Sequence, residues 1–547
     1  MAGGAQPVMM VGHRTRLWPG LAALAASPGL AILAIATLLA ASPGMGPAGP
    51  GSGFDSYIWR VLGFTLVQAG LSTILSLAFA LPLTRALARR PVFPGRSLMV
   101  KLFGLPLVLP VIVAVFGITA VWGHNGAISN ALEAMGLPGL SPLYGLSGIL
   151  IAHTFFNMPL GVRLLLPVWD SIPGETWRLA GQLGMNSWQI FRLIEFPRLM
   201  AAVPGVAMLI FLLCFSSFTV VLVLGGGPRA TTLEVAIWQA LRLDFDIDRA
   251  VALALLQVSA CLIAGILFYR LSRTPISAPT EERQVVRPDA ASRFGLLADI
   301  VWLTAGFLWV MAPLVAITVS GLAGPVADVL GRANIWAAAG RSAAVGVSAG
   351  FLALIIGLML ATTARDLAVR SRRSRLADWL EIAGSQTLIV SPVVLGAGLF
   401  LLLFPRVPVF DWALPLAALV NGLVTLPYVL RLVGPVLRRT AEHHDRLCAG
   451  IGLSGISRFR IVEWPALRRP AATAMALASA LATGDLTAIV LFGLDPDTTL
   501  ALLLYSALGS YRMDQAAVIA LLLVATCLSV FIVIEGLGRA ASRIGTS

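Results

Sequence analysis

A handful of polar side chains set in otherwise apolar stretches are the first candidates for acting on a solute. Asp485 lies between Gly484 and Leu486 near the end of one such stretch. A carboxylate at the centre of a membrane helix costs about 2.5–3.5 kcal/mol to insert, so it marks function by default. Two readings of Asp485 stand open: it attracts a passing cation, or it lies at a helix end and bonds neighbouring backbone. Its counterpart 268 residues earlier is Ser217, so one copy alone carries charge there, while Thr219 and Thr487 match. His153 and Asn157 share a helix face at i, i+4, with Asn421 and Thr425 at the equivalent positions. That face is expected to look toward the other half of the chain, either lining a path or bonding helices together, with packing favoured. Gln68, Glu381 and Gln386 are weaker candidates. His153 has no second His or Cys at ligand spacing, so no metal site is expected. No nucleophile–base pair is visible either, which argues against a membrane enzyme.

The elements that position these residues surround a stretch present twice. Arg178 to Pro197 reads RLAGQLGMNSWQIFRLIEFP, and Arg446 to Pro465 reads RLCAGIGLSGISRFRIVEWP. Each copy is expected to form two short helices hinged at a glycine, Gly184 or Gly452, where a turn is least resisted. Phe191 and Phe459 are read as apolar anchors beside solvated Arg192 and Arg460. Pro197 and Pro465 are placed at the start of the next span. A repeat of this length in so apolar a chain implies two homologous membrane halves, parallel because both begin on the same side.

Composition agrees. The 547 residues are 58% hydrophobic and 12% charged, with a net charge of +13, against roughly 25% charge in a soluble domain. Most basic residues flank one side of the spans, which is an orientation signal and excludes nucleic acid as the partner. Cys214, Cys261 and Cys527 fall in spans and Cys448 in the second loop, as small core residues do. Lys101 is the only lysine, so no phosphate-cradling Gly-Lys-Ser/Thr exists in this chain. Any ATP is bound by another polypeptide.

The expected architecture is an all-α polytopic membrane protein of about 12 transmembrane helices in two six-helix halves. Residues 1–270 form the first half with its loop at 175–197, and 271–294 form an arginine-rich cytoplasmic linker. Residues 295–547 form the second half with its loop at 443–465. First-half spans are placed near 17–41, 59–84, 102–122, 145–168, 201–224 and 250–269. Those of the second half are placed near 296–320, 338–363, 380–403, 413–434, 471–493 and 515–536. The first is read as a retained helix rather than a cleaved signal. Both termini fall in the cytoplasm, 42–57 is an external loop, and Trp122, Trp238, Trp336 and Trp412 are placed at the external interface.

The repeated stretch resembles the cytoplasmic EAA loop of binding-protein-dependent ABC importer permeases, whose pattern is Glu-Ala-Ala, three residues, Gly, then Ile-x-Leu-Pro after nine more. Both copies keep the Gly-to-Pro spacing of 13. Arg178, ahead of Leu179 and Ala180, and Arg446 stand where that family has Glu. The wording RLAGQLGMNSW, RFRIVEWPALRRP, GDLTAIVLFG and LGSYRMDQAA is similar to the thiamine permease family, across nearly the whole chain. The resemblance implies a MetI/MalF-like fold in a bacterial inner membrane, with the loops inserted in a cleft of a cytoplasmic ATPase dimer. ATP and Mg would be used by that dimer, with no cofactor on this chain. A periplasmic binding protein would deliver thiamine or its phosphates to external loops near 225–249 and 493–514, and Asp485 would attract the thiazolium. A fused ferric-iron permease shares the plan but has more conventional loops. A gradient-driven secondary transporter needs an intramembrane carboxylate pair and no docking loop.

Overall fold

The structure, a computed structural model, describes residues 18–40, 56–140, 143–271, 287–371, 373–384, 390–453, 455–493 and 499–544. Most of the expected 42–57 loop, linker residues 272–286, Gln386 and part of the 493–514 loop lie outside them.

Helix is the outcome the apolar runs dictate, since each backbone N–H then finds its partner within its own segment. α1 (Trp18–Ala40) is followed by α2 (Ser56–Arg89), α3 (Val111–Trp122) and α4 (Leu146–Asp170). The first repeated loop carries α5 (Gly174–Gln182) and α6 (Ser187–Ile190). After it come α7 (Phe196–Phe215), α8 (Thr219–Leu224), α9 (Leu233–Arg242) and α10 (Ile247–Leu271). The order then recurs as α11 (Arg293–Ala323), α12 (Ala333–Arg365), α13 (Pro392–Leu403) and α14 (Ala413–Gly450). The second loop holds α15 (Gly455–Arg458), and α16 (Trp464–Thr483), α17 (Thr487–Phe492), α18 (Leu500–Gly509) and α19 (Met513–Ile544) complete the chain.

Among the described residues, ten helices are long and apolar enough to cross a membrane, so this is a multi-pass membrane protein. The expected spans at 380–403 and 471–493 are not among the ten. α13 has 12 residues because Ser391 begins it, its hydroxyl accepting from the Val394 N–H at 3.2 Å. α16 is Ala-rich, carries Arg468 and Arg469, and stops at Gly484. The 201–224 span is likewise broken after Phe215, where the Ser216 hydroxyl donates back to the Leu212 carbonyl at 2.8 Å.

The described parts of the stretches expected as external loops near 225–249 and 493–514 carry short helices. α9 is amphipathic and α18 apolar, each with a buried face, α9 packing on α10 and α13, α18 on α19 and α12. Their leucines leave water only by lying against the spans.

The two series of helices also exchange their first members. α1 packs on α12 and α13, whereas α11 packs on α2 and α3. Glycine makes both approaches possible. A Cβ on Gly398 would stand 2.6 Å from the Ala34 carbonyl oxygen, and one on Gly117 2.8 Å from that of Pro313. Close backbone approach through small residues is how helices associate in lipid. Of the tryptophans expected at the interface, Trp336 and Trp412 are more than half exposed. Trp122 instead packs on Trp309 at 4.9 Å, and Trp238 donates to the Val490 carbonyl at 3.4 Å.

Candidate functional site

Each repeated loop opens as an amphipathic helix. In the first copy α5 buries Trp177 and Ala180 and exposes Arg178, Leu179 and Leu183. In the second the same role falls to the tail of α14, which runs unbroken to Gly450, so the expected separate short helix is absent there. Cys448 is buried and Arg446, Leu447 and Ile451 are exposed. Both copies then turn at the expected glycine, with φ of +63° at Gly184 and +69° at Gly452. An added Cβ would meet nothing within 4 Å at either, so the requirement is left-handed backbone, not space.

Beyond the turn, Asn186 caps α6 by accepting from the Gln189 N–H at 2.9 Å, while the Gln189 side chain accepts from the Asn186 N–H at 2.9 Å. One π-helical turn follows in each copy, Phe191–Glu195 and Phe459–Glu463. Pro197 and Pro465 explain it: a proline ring clashes with the carbonyl four residues back, and the preceding turn widens to relieve it. Both prolines lie in the first turn of the following span, as expected.

Phe191 and Phe459 are half-buried, Phe191 between Trp188 and Phe196 at 5.8 and 6.0 Å, Phe459 against Trp464 at 5.9 Å. Exposed apolar surface is carried by Leu179, Leu183 and Leu193, and 268 residues later by Leu447, Ile451 and Ile461, each more than half exposed. Arg192 and Arg460 are exposed, as expected.

Beneath this surface each loop closes on a buried carboxylate. Glu195 accepts from Arg85 Nε at 2.7 Å, Arg287 Nη2 at 2.5 Å and Trp169 Nε1 at 3.1 Å. Glu463 accepts from Arg458 Nε at 2.8 Å and pairs with Arg365. Arg85 and Arg365 both come from the end of the span that precedes the third helix of their series. Asp289 receives Arg287 Nε and Arg89 Nε on its two oxygens at 3.0 and 3.1 Å, and Arg89 goes on to Asp299 at 2.9 Å. Burial opposes the charge of Asp289, yet the bonds from Arg287 and the nearby guanidiniums hold its carboxyl below the ordinary carboxylate range. Burial likewise opposes the charge of Arg287, and Asp289 and Glu195 outweigh it, raising its pKa. These pairs were missed by sequence reasoning. The signal was present, since Glu195 and Glu463 are 268 residues apart within the repeat.

The polar residues expected along a path separate into two clusters. In one, Asp485, Thr487 and Asn421 come together: Asp485 accepts from the Thr487 hydroxyl at 3.1 Å and the Ala488 N–H at 3.2 Å, and Asn421 lies beside it. Asp485 thus lies two residues ahead of α17 and bonds its first turn, the helix-end reading, while keeping partial exposure. A Cβ on the adjacent Gly484 would lie 2.4 Å from Pro110 Cγ, so this break abuts the start of α3 in the other series. In the other cluster, His153 Nδ1 shares a 2.9 Å hydrogen bond with Ser72, and Asn157 Nδ2 donates to the His153 carbonyl at 2.9 Å and to Cys214 Sγ at 3.2 Å. That face therefore looks into its own series, toward α2 and α7, not toward the other. Gln68 joins it by donating to the Cys214 carbonyl at 3.0 Å. Thr219 is buried at the start of α8, the counterpart of Thr487. Asn421 donates to the Ala482 carbonyl at 3.4 Å, bonding α14 to α16 as Asn157 bonds α4 to α7. Among the described residues no group of three or more His, Cys, Asp or Glu is gathered to hold a metal.

Ten helices of spanning length among the described residues, two copies of one hooked loop and a polar break where the two series meet define a multi-pass membrane protein built as two similar series. No family model matches the chain. It is 42% identical over 522 residues to the thiamine transport system permease protein ThiP of Brucella abortus, covering 94% of this chain and 95% of that protein. It is also 42% identical over 484 residues to the protein of the same name in Escherichia coli, covering 88% and 90%. A Haemophilus influenzae protein named for ferric transport is 33% identical over 34% of this chain. The chain belongs to the thiamine transport system permease family.

Proposed function

We propose that this chain is the membrane subunit of an ATP-driven importer that moves thiamine or its phosphates across a bacterial inner membrane. The observation that carries the reading is the paired loop. Two exposed apolar patches, Leu179, Leu183 and Leu193 in one and Leu447, Ile451 and Ile461 in the other, sit on turns anchored from beneath by buried arginine–carboxylate clusters. An apolar surface on a rigid base suits a force-bearing joint, because displacement reaches the spans α7 and α16 directly. The partners in this reading are a cytoplasmic ATPase dimer, which uses ATP and Mg, and a periplasmic binding protein. The arginine-rich ends and both termini face the cytoplasm. Residues 1–270 and 295–547 act as the two halves, and the path runs between them past Asp485, whose carboxylate favours a cationic ring.

Vesicles containing this chain test the proposal. With ATP, the ATPase and the binding protein, labelled thiamine should accumulate, and omission of any one should stop it. Accumulation of ferric iron in place of thiamine, or nucleotide hydrolysis by the pure chain, would overturn it.

A further inference from the structure

The two loops are not built alike underneath. In the second, Arg458 lies within the loop and bonds Glu463 at 2.8 Å while pairing with Asp445. The equivalent positions 268 residues earlier are Ile190 and Trp177, neither of which can hold a charge. Glu195 is nevertheless as buried as Glu463 and needs the same neutralisation. Arg287, from the segment between the two series, supplies it. Its Nη2 donates to Glu195 at 2.5 Å, and its guanidinium lies 4.2 Å above the Trp177 ring, where Asp445 would have provided a carboxylate. Two residues on, Asp289 holds Arg287 at 3.0 Å and is itself tied to Arg89 of α2 at 3.1 Å. The side chains of Glu195 and Asp289 are fully buried and that of Arg287 is 5% exposed.

We propose that the inter-series segment Arg287–Asp289 is a clip that completes the first coupling loop, with Arg287 as the positioning residue that Arg458 provides within the second. That the clipped loop couples to an ATPase rests on the function proposed above; that it is clipped does not. The consequence is an asymmetric joint. The first loop is braced by the connection between the two series, so a shift of α11 reaches it through Asp299, Arg89 and Asp289, while the second is braced by its own Arg458 and by Arg365 of α12.

Amide hydrogen exchange on the full chain in lipid nanodiscs tests the clip without any partner. Arg287→Met should speed exchange across 174–196 by roughly 100-fold or more, the scale expected when a buried carboxylate loses a partner, and leave 446–465 unchanged. Arg458→Met should do the reverse. Adding Trp177→Asp and Ile190→Arg to Arg287→Met, which transplants the second loop's own pair, should restore protection of 174–196. Should Arg287→Met fail to insert, Arg287→Lys keeps the charge but loses the paired N–H geometry and should open the same segment. Unchanged protection of 174–196, equal loss in both loops, or no restoration by the transplant would overturn the clip. A chain whose loops bind no ATPase would instead sink the coupling reading and leave these exchange results standing.

Discussion

Glu195 and Asp485 show two ways of satisfying the oxygens of a carboxylate away from bulk water. Glu195 relies on opposite charge, with Arg85 and Arg287 at 2.7 and 2.5 Å. Removing one partner of such a group costs about 3–5 kcal/mol, because the remaining charge is left buried. Glu195→Gln is therefore expected to lower the thermal stability of the detergent-solubilised chain and to reduce uptake, and a melting temperature equal to wild type would contradict the buried pair. Asp485 relies on dipoles, the Thr487 hydroxyl and the Ala488 N–H. Asparagine caps a helix about as well as aspartate. Asp485→Asn should thus leave stability within about 1 kcal/mol yet cut uptake of cationic thiamine about tenfold, the loss of roughly 1.4 kcal/mol of attraction. Uptake at the wild-type rate would reduce Asp485 to a cap.

At the scale of the element, the loop depends on a left-handed glycine and, 13 residues on, a proline that widens the turn before it, Gly184 with Pro197 and Gly452 with Pro465. The glycine reverses the chain, and the π turn rotates the following span so that Glu195 or Glu463 points inward while Leu193 or Ile461 points out. Alanine at a left-handed position costs about 1–2 kcal/mol. That is too little to unfold the spans but enough to redirect an exposed hook. Gly184→Ala and Gly452→Ala should each insert normally and lose uptake, and wild-type uptake in both would remove the hook from the mechanism.

At the scale of the whole molecule, the exchange of first helices makes the two series interdependent. α1 lies on α12 and α13, α11 on α2 and α3, so neither series completes its surface alone. Gly398 admits α1 so closely that any side chain there meets Ala34 backbone. Overpacking of this kind costs about 1–3 kcal/mol. Gly398→Val should lower the melting temperature and speed proteolysis of residues 18–40, and an unchanged digestion pattern would show that α1 does not need this contact.

Helix class, the duplicated plan, the hinge glycines and the closing prolines could all be read from residue order, because each follows from apolar run length, internal similarity or local backbone rules. Span interiors were less legible: α7 and α16 stop short of their apolar runs because Ser216 and Asp485 bond nearby backbone, which hydropathy cannot sense. Which residues meet was not legible at all. Nothing in the order of residues says that Phe191 turns inward beneath exposed Leu193, that His153 faces Ser72, or that Arg287 crosses from the linker to Glu195. The last two join positions 81 and 92 residues apart, and they are selected only when packing has removed water and left each buried polar group to find its counterpart.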